Sequence, residues 1–383
     1  MPMLPSNGDT RKDDSRSARV LMVLDSYSFG GAENLIAELG RHAPPSLSIS
    51  VASLAPAEQG RNAMVGRLVE AGLQPTYLSV RKLLDPRGFI SLVRTLRRSA
   101  VDVVHAHLGY SAILVPLAAR LAGKPVVATL HVSPQRGIGR GEWLKERLSV
   151  VIPARLGRIV FVSQHVYDRF AQRHGPARPT WQVIWNGIGL EPYAVTDRAD
   201  SPTKPPVWAM VAALRPDKNH LDLIAAWEKV VAVRPDATLL IVGDGPCREK
   251  INRAIVKASL TDSVQLLGRR EDVPAILRDV DGVVSASIDE ALPTALIEAG
   301  ASGLPVVAAD AGGTREIVID GVTGRVVPLR DIPAMADALL SIIDDPALGA
   351  AYGAAARSRI EENFSMTSWV GQLERLYEEI RRG

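Results

Sequence analysis

The chain has 383 residues, which exceeds a typical single core and is enough for two domains. The apolar fraction of 46% and the charged fraction of 23% are ordinary for a globular protein, and a formal net charge of +3 is too small to predict a nucleic acid as partner. The single cysteine, Cys247, excludes an intramolecular disulfide and fits a reducing compartment.

The first segment, residues 1 to 18, is polar and lacks the apolar middle of a signal peptide, so we interpret it as a disordered tail. No apolar run reaches the ~18 to 20 residues that span a bilayer. We therefore expect a cytoplasmic protein, and peripheral contact with the inner face of the cell membrane stays open.

Residues 19 to 189 alternate short apolar runs with amphipathic stretches. Runs of strand length occupy residues 20–24, 49–54, 101–104, 125–130, 159–162 and 183–185. Helical patterns occupy residues 34–42, 63–71, 89–99 and 143–154. This alternation predicts βαβ units with right-handed crossovers, and hence a Rossmann-like, doubly wound parallel sheet.

A linker rich in proline is predicted at residues 190 to 206, and the same alternation starts again at 207 to 365. Strands are expected at 207–212, 238–242, 264–267, 282–285 and 305–308, and helices at 220–233, 247–259, 273–279 and 293–302. Residues 366 to 383 hold a final helix. The sequence thus predicts two α/β domains facing each other across a cleft, with ligands at the carboxyl ends of the strands.

The loop after the first strand contains Gly30 and Gly31 and opens a helix. Paired glycines let a backbone approach a ligand, and the helix amides could bind an anion, but a tight turn without a ligand is equally compatible. Neither the Gly-x-Gly-x-x-Gly fingerprint nor a Walker-type phosphate loop occurs in the sequence.

Three histidines are expected at strand ends of the first domain: His105 and His107 after residues 101–104, and His131 after residues 125–130. A lone histidine is more often structural, whereas three at one sheet edge favour a polar site. No carboxylate or thiol lies at ligand spacing around them, so we expect no metal.

The second domain carries basic and acidic groups directly after its strands. Arg215 and Lys218 open a helix, where cations oppose the helix dipole and an anionic ligand would relieve that cost. Gly243 offers another close approach of the backbone. Glu290 and Glu298 lie eight positions apart, the first in a loop and the second about one turn into a helix. Both carboxylates could therefore reach one ligand from the same end of the sheet and accept hydrogen bonds from vicinal hydroxyls.

Several motifs occur in an order that resembles glycosyltransferase family 4, retaining enzymes of the GT-B fold. They are Gly-Gly-Ala-Glu from Gly30, Trp-Asn-Gly-Ile from Trp185, Arg-Pro-Asp-Lys-Asn from Arg215, Val-Gly-Asp-Gly-Pro from Val242, the Glu290-x7-Glu298 segment, and Gly-Gly-Thr-Arg-Glu from Gly312 with Asp-Gly-Val-Thr-Gly from Asp320. The resemblance covers roughly residues 20 to 327, and it implies that the last helix crosses back to the first domain.

The resemblance implies transfer of a hexose from a nucleotide sugar to a hydroxyl of a glycan or lipid-linked acceptor, in cell-surface glycan or polysaccharide synthesis, without a metal or other cofactor. Lys218 and Arg215 would stabilise the leaving phosphate, Glu290 would hold the hexose hydroxyls, and His131 would border the anomeric carbon. Donor binding would also involve Gly30, Gly31, Gly243, Ala291, Leu292, Pro293, Thr294 and Glu298. Retention in this family is thought to be front-face, with the acceptor assisted by the leaving phosphate, so no protein nucleophile is required.

Two departures from the family pattern concern the donor site. The usual phosphate-binding arginine position is Ala213 here, so Arg215 would have to reach in instead. The usual glycine after the first glutamate is Ala291, which retains the backbone amide.

Two other functions compete with transfer: a nucleotide-sugar epimerase of the same fold, and a non-catalytic scaffold that binds glycans or nucleotides. The paired glutamates and Gly-Gly-Ala-Glu favour transfer over the epimerase, and the presence of Lys218, Glu290 and Glu298 favours it over the scaffold. Asp279 and Asp281 form an Asp-x-Asp that binds metal in the other glycosyltransferase fold, but their place between a helix and a strand favours a turn.

A basic, glycine-rich loop and helix follow His131 and include Arg136, Arg140, Trp143, Leu144, Lys145, Arg147 and Leu148. The apolar side chains could enter a membrane interface while the cations meet anionic headgroups. An ordinary surface loop and amphipathic helix explain the same pattern. A membrane-bound acceptor is the functional hypothesis.

Overall fold

The computed structural model describes residues 17–107, 109–134, 137–193 and 205–382. Residues 1 to 16 of the predicted tail, residues 194 to 204 of the predicted linker, and Arg136 lie outside these ranges. The chain divides into two compact units, Met1–Gly187 with Met366–Gly383, and Ile188–Ser365.

The first unit is built on one parallel sheet. Its strands are β1 (Ala18–Leu24), β2 (Leu47–Ser53), β3 (Pro75–Tyr77), β4 (Val103–His107), β5 (Val126–Leu130), β6 (Arg158–Phe161) and β7 (Trp181–Val183). The order in the sheet is β3-β2-β1-β4-β5-β6-β7. The helices that connect them are α1 (Gly31–His42), α2 (Val65–Glu70), α3 (Pro86–Arg98), α4 (Ser111–Ala122), α5 (Arg140–Leu156) and α6 (Gln164–His174), with a short 3-10 helix at Ala57–Gln59. All strands are parallel and the central ones are buried, as the continuous apolar runs predict.

The predicted position of β4 is wrong. Residues 101 to 104 were expected to form the strand, but pairing with β1 begins at Val103 and ends at His107. Asp102 lies before the strand, where its carboxylate binds the Arg19 amide at 2.9 Å and the Arg19 guanidinium at 2.9 Å. This ion pair fixes the register between the two strands. His105 is therefore inside the strand, and only His107 ends it.

The second unit repeats the architecture. Its strands are β8 (Val207–Val211), β9 (Thr238–Val242), β10 (Val264–Gly268), β11 (Gly282–Ser285), β12 (Val306–Ala309) and β13 (Gly324–Val327), in the order β10-β9-β8-β11-β12-β13. Its helices are α7 (His220–Val233), α8 (Arg248–Lys257), α9 (Val273–Asp279), α10 (Thr294–Ala301), α11 (Thr314–Ile317), α12 (Ile332–Ile343) and α13 (Pro346–Asn363), with a 3-10 turn at Pro216–Lys218. The strand order reverses between β8 and β11, since β9 and β10 follow on one side of β8 and β11 to β13 on the other, and such a switch point is where open α/β sheets bind ligands.

The last helix, α14 (Met366–Arg382), belongs to the first unit although it follows the second in sequence. Its apolar face, with Trp369, Leu373 and Tyr377, is part of the same core as β1 and α1. The Tyr377 hydroxyl lies 2.6 Å from Nδ1 of the buried His105. A buried hydroxyl needs such a partner, so this contact sets the position of α14 along the sheet.

No helix in the described ranges is long and apolar enough to cross a membrane.

Candidate functional site

The two loops that follow β8 and β11 are joined at the switch point of the second sheet. The Ile288 amide donates to the Asp217 carbonyl at 2.9 Å, which fixes the backbones of the two loops together. Beside this bond, Lys218 Nζ lies 2.6 Å from Glu290 Oε1. The two side chains are only 15% and 13% exposed, so the ion pair is largely shielded from water. Lys218 and Glu290, predicted from separate motifs, are thus brought into direct contact.

A third loop, which follows β12, packs against the backbone of Glu290. The Gly313 amide donates to the Glu290 carbonyl at 3.0 Å. Gly312 adopts a φ of +54°, and a Cβ there would lie 1.8 Å from the same carbonyl oxygen. A side chain at this position would therefore displace the Glu290 loop. The Gly-Gly pair of the closing motif is explained by this close packing.

Glu298 lies one turn into α10, as predicted, and its environment is unusual for a carboxylate. Burial raises the pKa of Glu298 to about 7, while a hydrogen bond from the Tyr193 side chain acts in the opposite direction. Tyr193 was not predicted as a site residue because it lies in the segment assigned to the linker. The sequence feature that could have identified it is that Tyr193 is the one aromatic residue between positions 190 and 206.

Arg215 is engaged with its own loop. Its guanidinium binds both carboxylate oxygens of Asp217, at 3.1 and 2.7 Å, and the side chain is 55% exposed. Asp217 also lies 3.9 Å from Lys218 Nζ. The sequence analysis missed Asp217, although its spacing from Arg215 was visible. The Asp217 carboxylate thus lies between Arg215, which precedes the 3-10 turn, and Lys218, which ends it.

Gly243 follows β9 and has a φ of +140°. A Cβ at this position would lie 2.0 Å from the Ala212 carbonyl oxygen. The contact with Ala212 therefore explains this glycine without a ligand.

The segment from Ala291 to Thr294 links Glu290 to the start of α10. Leu292 and Pro293 are buried, Ala291 is half-buried and Thr294 is exposed. No side chain caps the helix, and the Leu296 amide donates to the Pro293 carbonyl at 3.0 Å, so Thr294 and Ala295 carry the first amides without a side-chain cap.

In the first unit, Gly30 precedes α1 and Gly31 begins it. The space around Gly30 is taken by the buried Glu33, since a Cβ on Gly30 would lie 2.4 Å from its carboxylate. Burial raises the pKa of Glu33. A Cβ on Gly31 would meet no atom within 4 Å, so the surface beside Gly31 is open.

Asp25 directly follows β1 and was not predicted as a site residue. Its carboxylate accepts hydrogen bonds from the amides of Tyr110 and Ser111, at 3.1 and 2.6 Å. These amides are at the start of α4, so Asp25 caps this helix from the loop that follows β1. Burial raises the pKa of Asp25, and the two amides act against that shift.

The three predicted histidines are brought together as a stack. The ring centroids of His105 and His107 are 4.2 Å apart, and those of His107 and His131 are 5.2 Å apart. His107 Nδ1 lies 2.9 Å from His131 Nε2, and His105 Nε2 lies 2.6 Å from Thr129 Oγ1. Burial lowers the pKa of His105 to about 3 and of His131 to about 4, and that of His107 well below its usual value. All three are neutral at physiological pH.

Among the described residues, no group of three or more histidine, cysteine, aspartate or glutamate side chains is arranged to hold a metal ion. The interpretation of Asp279 and Asp281 as a turn is confirmed, because α9 ends at Asp279 and β11 begins at Gly282. The Asp281 carboxylate accepts from the Val207 amide at 2.8 Å.

The chain is similar to known proteins along most of its length. Residues 29–192 match the family described as Glycosyltransferase Family 4, and residues 196–359 match Glycosyl transferases group 1. An Escherichia coli relative, UDP-Gal:alpha-D-GlcNAc-diphosphoundecaprenol alpha-1,3-galactosyltransferase, is 28% identical over 81% of this chain and 84% of its own length.

A second relative, from Corynebacterium glutamicum, is a GDP-mannose-dependent monoacylated alpha-(1-6)-phosphatidylinositol monomannoside mannosyltransferase. It is 32% identical over 57% of this chain and 60% of its own length. Among solved structures, Anabaena Alr3699/HepE in complex with UDP has a TM-score of 0.83 and 22% identity, covering 94% of this chain and all of that one. That likeness shows that the two proteins share a fold.

Proposed function

The chain belongs to glycosyltransferase family 4 and is a hexosyltransferase of the GT-B fold, and on that premise we propose that it takes the hexose from a nucleoside diphosphate sugar and transfers it with retention. The observation that carries the proposal is the contact between Lys218 and Glu290 at the switch point of the second sheet. Two relatives that use UDP-galactose and GDP-mannose, by their names, support the donor class. Neither is an epimerase or a non-catalytic binding protein.

The reaction breaks the bond between the anomeric carbon and the diphosphate and forms a bond from that carbon to the acceptor oxygen. Negative charge develops on the leaving phosphate, and the ammonium of Lys218 stabilises it without a metal ion. The acceptor proton passes to a phosphate oxygen on the same face of the sugar. Configuration is therefore retained without a protein nucleophile.

Each predicted residue receives a role consistent with its position. Glu290 accepts hydrogen bonds from hexose hydroxyls, and Glu298 accepts them from the ribose. The backbone amides of Ala291, Leu292 and Thr294 donate to sugar or phosphate oxygens, which suits the start of α10, where no side chain caps the helix. In the first unit, the open surface at Gly31 lets the donor approach the backbone. Gly243 is needed for its packing on Ala212, and Arg215 contributes to phosphate binding only if it exchanges Asp217 for the ligand.

Lys218→Ala should lower kcat/KM roughly ten- to a hundredfold, because a charge-assisted hydrogen bond to the leaving group contributes about 1.5 to 3 kcal/mol. A panel of UDP-, GDP- and ADP-sugars, scored by thermal shift, first identifies the donor. Transfer is then followed by NMR, which also reads the anomeric configuration of the product.

The matched control is Lys229→Ala, which removes the same charge from an exposed position on α7. It should leave turnover unchanged, as should a metal chelator. Turnover of Lys218→Ala equal to that of the control would contradict the assignment.

Arg215→Ala tests the second cation in the same way. If Arg215 contacts phosphate, the substitution weakens binding of the nucleoside diphosphate more than binding of the nucleoside, and equal effects on both ligands would contradict that contact.

Donor affinity should rise with pH through about 7, because the ribose hydroxyls need the ionised form of Glu298 and burial raises its pKa to about 7. If only the carboxylate binds, affinity increases about tenfold from about pH 6 to about pH 8. Calorimetric titration with the intact nucleotide sugar measures this, since its diphosphate diester keeps its charge over the range.

Glu298→Gln should bind with no such pH dependence, whereas Glu249→Gln, at an exposed position on α8, should keep it. If the donor affinity of Glu298→Gln still rises with pH, the titrating group is not Glu298.

We further propose that the acceptor is lipid-linked and that the protein meets it at an anionic membrane surface on the cytoplasmic side. By their names, both relatives transfer sugars to lipid-linked acceptors. The predicted contact through α5 has limited support, since Leu144 is 51% exposed but the Trp143 ring packs against His174, at 5.7 Å between centroids. Lys145 is paired with Glu142 at 2.6 Å.

The face formed by α3 is better suited to a bilayer. Cationic side chains are exposed along it and in the preceding loop, namely Arg81, Lys82, Arg87, Arg94, Arg97 and Arg98. Exposed apolar side chains lie among them, with Leu84 83% and Ile90 49% exposed. Asp85 is the one acidic residue from 78 to 101, and its carboxylate caps α3. Clustered cations around apolar side chains fit anionic headgroups over an acyl boundary.

Substituting Arg87, Arg94 and Arg98 together with glutamine should weaken binding to vesicles that contain anionic lipid about a hundredfold, at about 1 kcal/mol for each cation. Co-sedimentation at low salt measures the change. The control replaces Lys250, Arg253 and Lys257 of α8 with glutamine, which removes an equal charge from exposed positions of the second unit.

A variant with Arg140 and Lys145 replaced compares α5 with α3 in the same assay. Loss in that variant alone would move the membrane contact to α5. Wild-type protein that does not sediment with the vesicles would contradict the membrane proposal and favour a soluble acceptor.

A further inference from the structure

His131 is connected through His107 to a thioether in the core. His107 Nδ1 lies 2.9 Å from His131 Nε2, and His107 Nε2 lies 3.4 Å from Met22 Sδ. His107 and Met22 are fully buried, at the end of β4 and in the middle of β1. Both ring nitrogens of His107 therefore lie within hydrogen-bond distance of a partner, His131 Nε2 on one side and Met22 Sδ on the other.

Both imidazoles are neutral, so each ring carries one proton. Burial lowers the pKa of His107 well below its usual value and that of His131 to about 4. In a neutral imidazole one nitrogen donates and the other accepts, and the partners decide which.

The thioether of Met22 makes that decision, because its sulfur can accept a hydrogen bond but has no proton to donate. The proton of His107 is therefore on Nε2, facing the sulfur, and Nδ1 holds the lone pair. His131 Nε2 must then be the donor in the bond between the two histidines. With the opposite assignment, the His107 Nε2 lone pair would face the sulfur lone pairs in a buried site, and neither would be satisfied.

His105 has no such constraint. Its ring nitrogens lie 2.6 Å from the hydroxyls of Tyr377 and Thr129, and a hydroxyl can donate or accept. The stacking of His105 on His107 adds packing and does not select a tautomer.

We propose that Met22 and His107 are positioning residues that hold His131 with its proton on Nε2 and its lone pair on Nδ1, so that His131 accepts a hydrogen bond from a hydroxyl of the bound hexose. The role toward the hexose rests on the proposed function. With Nε2 occupied by His107, Nδ1 is the ring nitrogen left for a ligand. A neutral ring with its lone pair outward also adds no positive charge where the anomeric carbon becomes positive.

The tautomer can be measured directly in the full-length protein with 15N-labelled histidine. Protonated and unprotonated ring nitrogens have well-separated 15N shifts, and the spectrum of His131→Asn identifies the His131 signals among the seven histidines. The expected result is a protonated Nε2 and an unprotonated Nδ1 on His131 at neutral pH. A proton on Nδ1 would overturn the inference.

Met22→Leu tests the role of the thioether with little change in side-chain volume. Without the sulfur acceptor the preference of His107 weakens, and both tautomers of His131 become populated. If half of the molecules then present the wrong nitrogen, the apparent donor affinity falls about twofold. Met64→Leu is the matched control, since Met64 is buried in the same core and its sulfur makes no hydrogen bond within the described ranges.

Unchanged His131 shifts in folded Met22→Leu would overturn the positioning role of Met22. The tautomer is read in the free protein, so it is judged independently of catalysis. Absence of transfer from every donor in the panel would instead overturn the proposed function. An active enzyme with the proton of His131 on Nδ1 would overturn this inference alone.

Discussion

The ion pair between Lys218 and Glu290 is the interaction on which the account of the site depends. The two side chains come from loops 72 positions apart, and they meet because β8 and β11 are adjacent parallel strands whose carboxyl ends point the same way. Their loops are further joined by the bond from the Ile288 amide to the Asp217 carbonyl. A shielded pair of this kind costs desolvation, and a ligand that carries both an anionic phosphate and hydroxyl groups can bind each partner separately.

The supporting contacts explain why the surrounding motifs contain small residues. The Gly312-Gly313 turn packs on the Glu290 carbonyl, and Gly243 packs on Ala212. In these two loops glycine is required by neighbouring backbone, whereas the surface at Gly31 is open. Only the last of these is a place where the absence of a side chain leaves room for a ligand.

Much of the fold was accessible from the sequence because parallel strands buried on both faces have continuous apolar runs. The two-fold repetition of such runs predicted two sheets, and the strand at residues 282 to 285 was placed correctly. Elements without a contrast between faces were missed. Helix α4 is buried around most of its circumference, and β3 has only three residues, so neither shows a clear period. The start of β4 was misplaced because Asp102 and Arg19, far apart in sequence, set its register.

The site was predicted as a set of residue types at strand ends, but its contacts were not. The pairing of Lys218 with Glu290 and the bond from Tyr193 to Glu298 depend on tertiary geometry that no local pattern contains. The same holds for the histidines: their spacing suggested a polar site, but the contact of His107 with Met22, which selects its tautomer, comes from another strand. Local pattern identifies chemistry, while the sheet order determines which groups meet.

The central claim is that the donor binds at the carboxyl ends of β8 and β11. The most direct measurement is a crystal structure of the protein with the nucleoside diphosphate of the donor identified by thermal shift. The account predicts the diphosphate on Lys218, with its contact to Glu290 opened, and the ribose hydroxyls on Glu298. A nucleotide bound elsewhere, with the Lys218–Glu290 pair intact, would contradict it.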